Sequence, residues 1–437
     1  MENDGKKIDR REFMGKVGMG AAALGVFPAG RLFAASNRVL GANDRIRIGL
    51  IGAGDRGQDD LRHALKQPNV ECVAVADVYS RRRDQVKGYL PNVATYDDPM
   101  RLLERNDIDA VIHATPQHLH KKYFLATLAA GKDLYSEKTL AWNIPEAMAC
   151  RDAAKSSKQI VQIGMQDQSN GEMEDTRKWI RDGLAGKITM VDSWMSRNTL
   201  EGHGQWVRPV LSDCNPDHVN WDLFLSGRPK VPFDGYKFIN WRLFWEFSGG
   251  NVTENMVHQI GWIINAMDLQ LPKAATMTGG VYSKKDGRQV PDTFSVALEY
   301  PNDLLVTWQS TFSNSRYGLG ERFLGDKGTI EHMSGSNDMK TGVYQKGQPH
   351  SDQAIGPTNY YPEKLNNPNG VPLKGENPGV DHMANWMDCI RNRAQPNATV
   401  EIGYLSAVAC HMSNLAYKQK RRVTLEEAMA AKPEAWM

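Results

Sequence analysis

One stretch, Arg45-Ile-Arg-Ile-Gly-Leu-Ile-Gly-Ala-Gly-Asp-Arg-Gly57, constrains the fold more than any other. It reads as a short apolar strand, a glycine turn and a helix start. Ile46, Ile48, Leu50 and Ile51 carry the strand, and Leu61 to Leu65 continue the helix. Gly52, Gly54 and Gly57 have the G-x-G-x-x-G spacing of a dinucleotide-binding turn. The first glycine permits the turn, the second lets backbone approach a pyrophosphate, and the third lets helix pack on strand. The helix N-terminus, beginning at Asp55 and Arg56, offers free N–H groups and a partial positive charge to the phosphates. A second strand, Val70-Glu-Cys-Val-Ala-Val-Ala-Asp77, ends in an acid 20 residues after Gly57. Asp77 is placed to accept hydrogen bonds from an adenosine ribose, which favours NAD over NADP. The run Arg81-Arg-Arg83 leaves NADP open.

From Arg45 to Gly164 strands and helices alternate, which implies a parallel, doubly wound sheet. Tyr96 to Glu104 reads as a capped amphipathic helix, and Ile108 to Thr115 as a buried strand stopped by Pro116. Ligands of such sheets bind at the carboxyl ends of the strands. That rule lines up Thr115, Pro116, His118, Glu137, Lys138 and Gln166 along one crevice. Beyond Met165 the pattern changes. Val296 to Tyr300 and Leu304 to Trp308 flank Pro301-Asn-Asp303 as a hairpin, so the second sheet should be open and mainly antiparallel. Residues 333–380 are rich in Gly, Pro, Asn and Ser and read as loop. The expected class is α/β: a Rossmann domain over 44–165, then an α+β domain over 166–437 whose helices at 381–420 return toward the first.

Residues 1–43 read as an address rather than as fold. Arg10-Arg-Glu-Phe-Met14 resembles a twin-arginine export signal, and a mild apolar run follows from Val17 to Phe27. The run is too short and glycine-rich to span a bilayer comfortably, so no stable membrane anchor is expected. An exported, periplasmic protein is expected, and a periplasm offers no pool of free nicotinamide cofactor. Any cofactor should therefore be held tightly. A net charge of +2 over 437 residues argues against a nucleic-acid surface. The five cysteines are far apart and contain no C-x-x-C, so no zinc cluster is expected.

The order of glycine turn, Ala114-Thr-Pro-Gln-His118, Glu137-Lys138 and Gly249-Gly250…His258 resembles the glucose–fructose oxidoreductase and inositol dehydrogenase (Gfo/Idh/MocA) family over about residues 44–420. Asn220-Trp-Asp222 and Asn240-Trp-Arg242 resemble a secreted subgroup with twin-arginine leaders. The resemblance implies an NAD-dependent oxidoreductase and a dimer or tetramer formed through the second sheet's open face. It implies Lys138 as a catalytic group and His118 at the nicotinamide end. Thr139 stands where the family has a proline, often with a cis bond, and lacks that residue's restriction. Glu254 stands for the usual aspartate and Met256 for a glycine. Gly261 stands where the family has an acid three residues after the histidine.

On a regular helix Glu254 and His258 share a face, so Glu254 could orient His258 as general base or acid. Two such ligands are too few for a metal, and none is expected. On the substrate side, Trp241 and Arg242 beside the diglycine, with His203 and Trp206, suit the apolar faces and hydroxyls of a sugar. The expected activity is oxidation of a sugar, glycoside or polyol hydroxyl. A second reading is an NAD-dependent glycoside hydrolase that oxidises C3 transiently, eliminates the aglycone and re-reduces the product. A third is a non-catalytic sugar-binding protein.

Overall fold

The structure is a computed structural model and describes residues 45–198, 205–315, 318–334, 358–363 and 370–436. The leader, including Arg10 and Arg11, lies outside the described residues, as does His203.

The first sheet has six parallel strands: β1 (Ile46–Ile51), β2 (Val70–Ala76), β3 (Ala94–Tyr96), β4 (Ala110–His113), β5 (Asp133–Glu137) and β6 (Val161–Gly164). Their order is β3-β2-β1-β4-β5-β6, so the chain reverses direction across the sheet between β1 and β4. The carboxyl ends part there, and that is where such sheets bind ligands. Near-continuous apolar strands such as Ile-Gly-Leu-Ile suit a sheet covered on both faces. Gly57 is obligatory at the first strand–helix turn: a Cβ there would lie 1.9 Å from the Gly52 carbonyl oxygen.

The helix Pro99–Leu103 is shorter than its sequence pattern predicts. Tyr96 is drawn into β3, and Asp98 accepts from the Met100 N–H as N-cap, so the helix starts after it.

The second sheet has nine strands, β7 (Ile188–Ser196), β8 (Ala274–Gly280), β9 (Thr293–Tyr300), β10 (Leu304–Thr311), β11 (Leu319–Gly325), β12 (Gly328–Ser334), β13 (Thr358–Pro362), β14 (Val371–Leu373) and β15 (Val423–Thr424). It is mostly antiparallel, with β10 and β7 running parallel. The hairpin between β9 and β10 turns through Asn302 and Asp303, both at positive φ. The polar stretch read as loop contributes β13 and β14, which add to the sheet edge beyond β12. Short edge strands made of turn-rich sequence carry too little apolar periodicity to be seen in advance.

The helix His382–Asn392 joins the first domain. Met383, Trp386, Met387 and Ile390 pack with Ile48, Leu50, Val75, Ile112 and Tyr135 beneath the parallel sheet. The Tyr135 and Trp386 rings are 5.5 Å apart. The helix Val400–Gln419 is buried from Gly403 to Ala416 and packs on the helices Ile144–Ser156 and Val257–Met267. One apolar interior is thus shared by segments far apart in sequence.

Trp386→Ala should lower unfolding stability by about 3–5 kcal/mol, the cost of emptying a fully buried aromatic site. Urea unfolding checks it; a loss below about 1 kcal/mol would place this helix outside the core.

Candidate active site

Three loop segments meet above the carboxyl ends of β4 and β5. The first is Thr115–His120, the second Glu137–Thr139, and the third the turn from Gly249 into the helix Val257–Met267. That helix opens with a π-helical turn, Val252–Met256. Wide turns of this kind commonly occur at functional sites.

The centre of the meeting point is the Glu254 carboxylate, 4% exposed. Lys138 Nζ donates to its Oε2 at 3.1 Å and to the Glu254 carbonyl at 2.7 Å. Arg242 Nε donates to the same Oε2 at 3.0 Å, and Gln117 Nε2 to Oε1 at 2.5 Å. Burial alone would raise this carboxyl; Lys138 and then Arg242 outweigh it and hold it at about 2. Glu254 therefore stays ionised and fixes the lysine. The sequence pattern paired it with His258 instead, but no hydrogen bond joins them among the described residues. Its carboxylate is already taken by donors from three other segments.

His258 is in the same cleft. Burial, then the neighbouring Lys138 charge, pushes its imidazole down to about 3, so it is neutral at pH 7. Glu137 also faces it, and burial of that carboxylate is outweighed by Arg56 and then Lys138. The Lys138–Thr139 bond is cis even though Thr139 replaces the proline. Thr139 is fixed by its hydroxyl donating to the Thr253 carbonyl at 3.0 Å and by its own carbonyl meeting His120 Nδ1 at 2.6 Å.

A second buried cluster lies beneath Glu137. Arg56 Nε donates to Glu137 Oε1 at 2.9 Å, and Arg56 NH2 lies 2.7 Å from Asp60 Oδ1. Burial, reinforced by Glu137, raises the Asp60 carboxyl well above its ordinary range against the pull of Arg56, whereas Arg56 and then Lys138 hold the Glu137 carboxyl below its own. The Gln166 amide oxygen accepts from the Tyr135 hydroxyl at 2.9 Å. Arg56, expected to touch a cofactor, holds Glu137 in place, and Gln166, expected to do the same, accepts from Tyr135 and Arg56 beside it.

The glycine turn fits a dinucleotide. Gly54 leads into the helix Asp55–Leu65 with no side-chain cap on the first N–H groups, and a Cβ on Gly54 would meet nothing closer than the Arg82 guanidinium at 3.8 Å. Asp77 lies at the end of β2, its carboxylate accepting from the Ala53 N–H at 2.8 Å and the Tyr79 N–H at 2.9 Å. It thereby ties the glycine turn to the neighbouring strand. Arg82 lies 3.8 Å from Asp77, Arg81 pairs with Asp213 and Arg83 donates to the Asp77 carbonyl.

Several expected site residues are structural. His118 is 7% exposed. Its Nε2 meets the Phe224 carbonyl at 2.7 Å and its ring packs on Phe224 and Phe247, so it does not line the nicotinamide end. Its neighbour Gln117 reaches the site instead; a 3-10 turn at Gln117–Leu119 exchanges their directions. Thr115 meets His113 Nε2 at 2.7 Å, and the Pro116 carbonyl closes that turn. Trp241 belongs to the aromatic core around Phe224 and Phe238, with the Arg242 guanidinium 4.2 Å from its ring centroid. It backs Arg242 rather than a sugar. Trp206 packs edge-on to Phe312 at 5.4 Å. Gly261 is small for a reason: a Cβ there would lie 2.0 Å from Met165 Cε. A larger residue at that point of the helix would require the Met165 side chain to move.

Family models of the oxidoreductase type Gfo/Idh/MocA match both domains: the NAD-binding Rossmann fold over residues 46–165 and the C-terminal alpha/beta domain over residues 218–425. The rhizopine catabolism protein MocA of Rhizobium meliloti is 33% identical over 34% of this chain and 46% of its own length. The inositol 2-dehydrogenase of Rhodococcus jostii is 29% identical over 34% of this chain and 41% of its own. A glycosyl hydrolase family 109 protein of Shewanella pealeana is 28% identical over 47% of each. The chain thus spans about half, or less, of the length of the curated relatives it matches. In fold it is similar to the aldose-aldose oxidoreductase of Caulobacter crescentus, with a TM-score of 0.62 and 16% identity over 87% of this chain and 99% of that one. A levoglucosan dehydrogenase gives 0.63 and 16% over the same shares.

The depressed Glu254 carboxyl has a signature in acid. Its folded value of about 2 lies below the ordinary 4.5. Its contribution is therefore complete above pH 4.5 and is lost as the pH falls toward 2. The amount is on the order of 3 kcal/mol. Glu254→Gln should lower the melting temperature at pH 7, by leaving Lys138 and Arg242 unbalanced, and flatten the fall in acid. Thermal melts of both proteins from pH 7 to 3 check this; parallel acid limbs would remove the special role of Glu254.

Proposed function

The chain belongs to the Gfo/Idh/MocA oxidoreductase family, and we propose that it is an NAD-dependent oxidoreductase acting on the hydroxyl of a sugar, glycoside or polyol. The observation that carries this is the pairing of a clamped lysine with a neutral imidazole in one cleft beside the glycine turn. When bound, NAD supplies hydride chemistry. The protein's task is then to bind the hydroxyl and manage its proton. Lys138, held by Glu254, donates a hydrogen bond to the substrate oxygen and stabilises the charge that grows on it. His258, kept neutral by burial and by Lys138, takes the proton. Arg242 and Gln117 keep Glu254 from turning away. The inositol dehydrogenases and aldose oxidoreductase among the similar proteins support a polyhydroxylated substrate.

Redox-neutral glycoside hydrolysis is the second reading. It is favoured by the loss of the acid at Gly261, where Met165 fills the space, and by the resemblance to the glycosyl hydrolase family 109 protein. The two readings separate on turnover: a dehydrogenase accumulates reduced cofactor, whereas the hydrolase returns it to its starting state. The twin-arginine pattern supports export to a periplasm, and the family resemblance supports a homo-oligomer. No helix among the described residues is long and apolar enough to cross a membrane.

Purified without added cofactor, the protein should release NAD on denaturation. Reduction of the bound NAD by free sugars establishes the oxidoreductase; nitrophenol release from nitrophenyl glycosides without net reduction establishes the hydrolase; failure to hold or take up any dinucleotide sinks both.

The pH profile gives a further check. With His258 down at about 3, kcat/KM should show no acidic limb from it between pH 5 and 8. A limb centred near the ordinary histidine value of 6.5 would remove His258 as the buried neutral base. Lys138→Met should lower kcat by about 10²–10⁴ while bound NAD is retained.

A further inference from the structure

Residues 205–247 leave the second domain and cross the first. The Tyr79 hydroxyl donates to Asp213 at 2.7 Å, the Ser80 N–H to the His218 carbonyl at 2.9 Å, and the Asn220 N–H to the Val78 carbonyl at 2.9 Å. These contacts seat the segment on the loop after β2, the adenosine end of the cleft. Near its start, Arg208 extends over the N-terminus of the helix Asp55–Leu65. Its Nε and NH2 lie 2.8 and 2.7 Å from Asp55 Oδ2.

We propose that Arg208 is a phosphate clamp, exchanging Asp55 for the cofactor diphosphate and so pinning the bound dinucleotide beneath this strap. The proposal rests on the family's dinucleotide reading of the cleft. Three arginines act on the Asp55 carboxylate: Arg208, then Arg82 and Arg242. Arg242 is held by the buried Glu254, and Arg82 lies beside the buried Asp77. Only the Arg208 pair is open to exchange. The Arg208 side chain is 44% exposed and that of Asp55 78%, and exposed pairs of this kind are weak. A diphosphate on the uncapped helix end offers two charges in place of one, with the fork geometry that a guanidinium matches.

The base of the clamp is fixed while its tip is free. The Arg208 N–H donates to Asn240 Oδ1 at 2.7 Å, and Asn240 Nδ2 donates back to the Arg208 carbonyl at 3.2 Å. Asn240 is 1% exposed. The guanidinium can therefore change partner without moving the strap's anchor. Asp55 is a competitor of the phosphates in this scheme: it holds Arg208 until a dinucleotide binds and repels the incoming anion.

The two members of the pair should act with opposite sign. In the full-length protein stripped of cofactor, Arg208→Met should raise the Kd for NAD about tenfold or more and speed its release. Asp55→Asn should lower the Kd. Calorimetric titration with NAD and stopped-flow displacement of bound NADH read both, and melting curves of the free variants verify folding. If the pair were merely a latch, both substitutions would weaken binding alike. That outcome, or an unchanged Kd in Arg208→Met, overturns the proposal while the cofactor reading stands. A wild-type protein that binds no NAD defeats the cofactor reading itself, and the clamp with it.

Discussion

The buried Glu254 carboxylate is the joint on which the site depends. An unpaired charge at that depth would be severely unfavourable, so its position obliges three donors to converge. Each comes from a different stretch: Gln117 after β4, Lys138 after β5, and Arg242 from the strap. The first two belong to the parallel sheet, while the carboxylate belongs to the helix of the second domain. A single ionised group thus joins the halves of the molecule and aims the lysine into the cleft. The acceptor capacity of the carboxylate is largely filled by these partners, and no hydrogen bond joins it to His258 among the described residues.

Beneath it lies a second arrangement of the same kind. Arg56 sits between Glu137 and Asp60, donating to the first and pairing with the second. The glycine-turn helix is thereby tied to the end of β5, so the glycine turn and the cleft around Glu254 share one base. Pre-organisation of this sort keeps catalytic groups in place without cost at the moment of reaction.

The alternating sheet, its switch point and the hairpin of the second domain were legible because each rests on local periodicity or on glycine at a fixed offset. Lys138, Glu254 and His258 were legible as residue types in a familiar order. Their connections were not. The Glu254–His258 pair assumed regular helix geometry, and the π turn with three competing donors defeated it. His118 and Gln117 are neighbours, and one 3-10 turn decides which reaches the cleft. Trp241 looked like a sugar platform because aromatic composition does not distinguish a pocket wall from a core. Arg56 was assigned to the cofactor by motif position; its partner Asp60 lies one helical turn on, but its other partner, Glu137, is 81 residues away, a spacing no local pattern reveals. The strands β13 and β14 form from sequence that carries only turn signals.

The return of Met383, Trp386, Met387 and Ile390 to the underside of the parallel sheet has a consequence for the order of events in the cell. The nucleotide half occupies a contiguous early stretch, yet its hydrophobic floor is synthesised more than two hundred residues later. The packing that closes the underside of the parallel sheet waits for a segment made after most of the second domain.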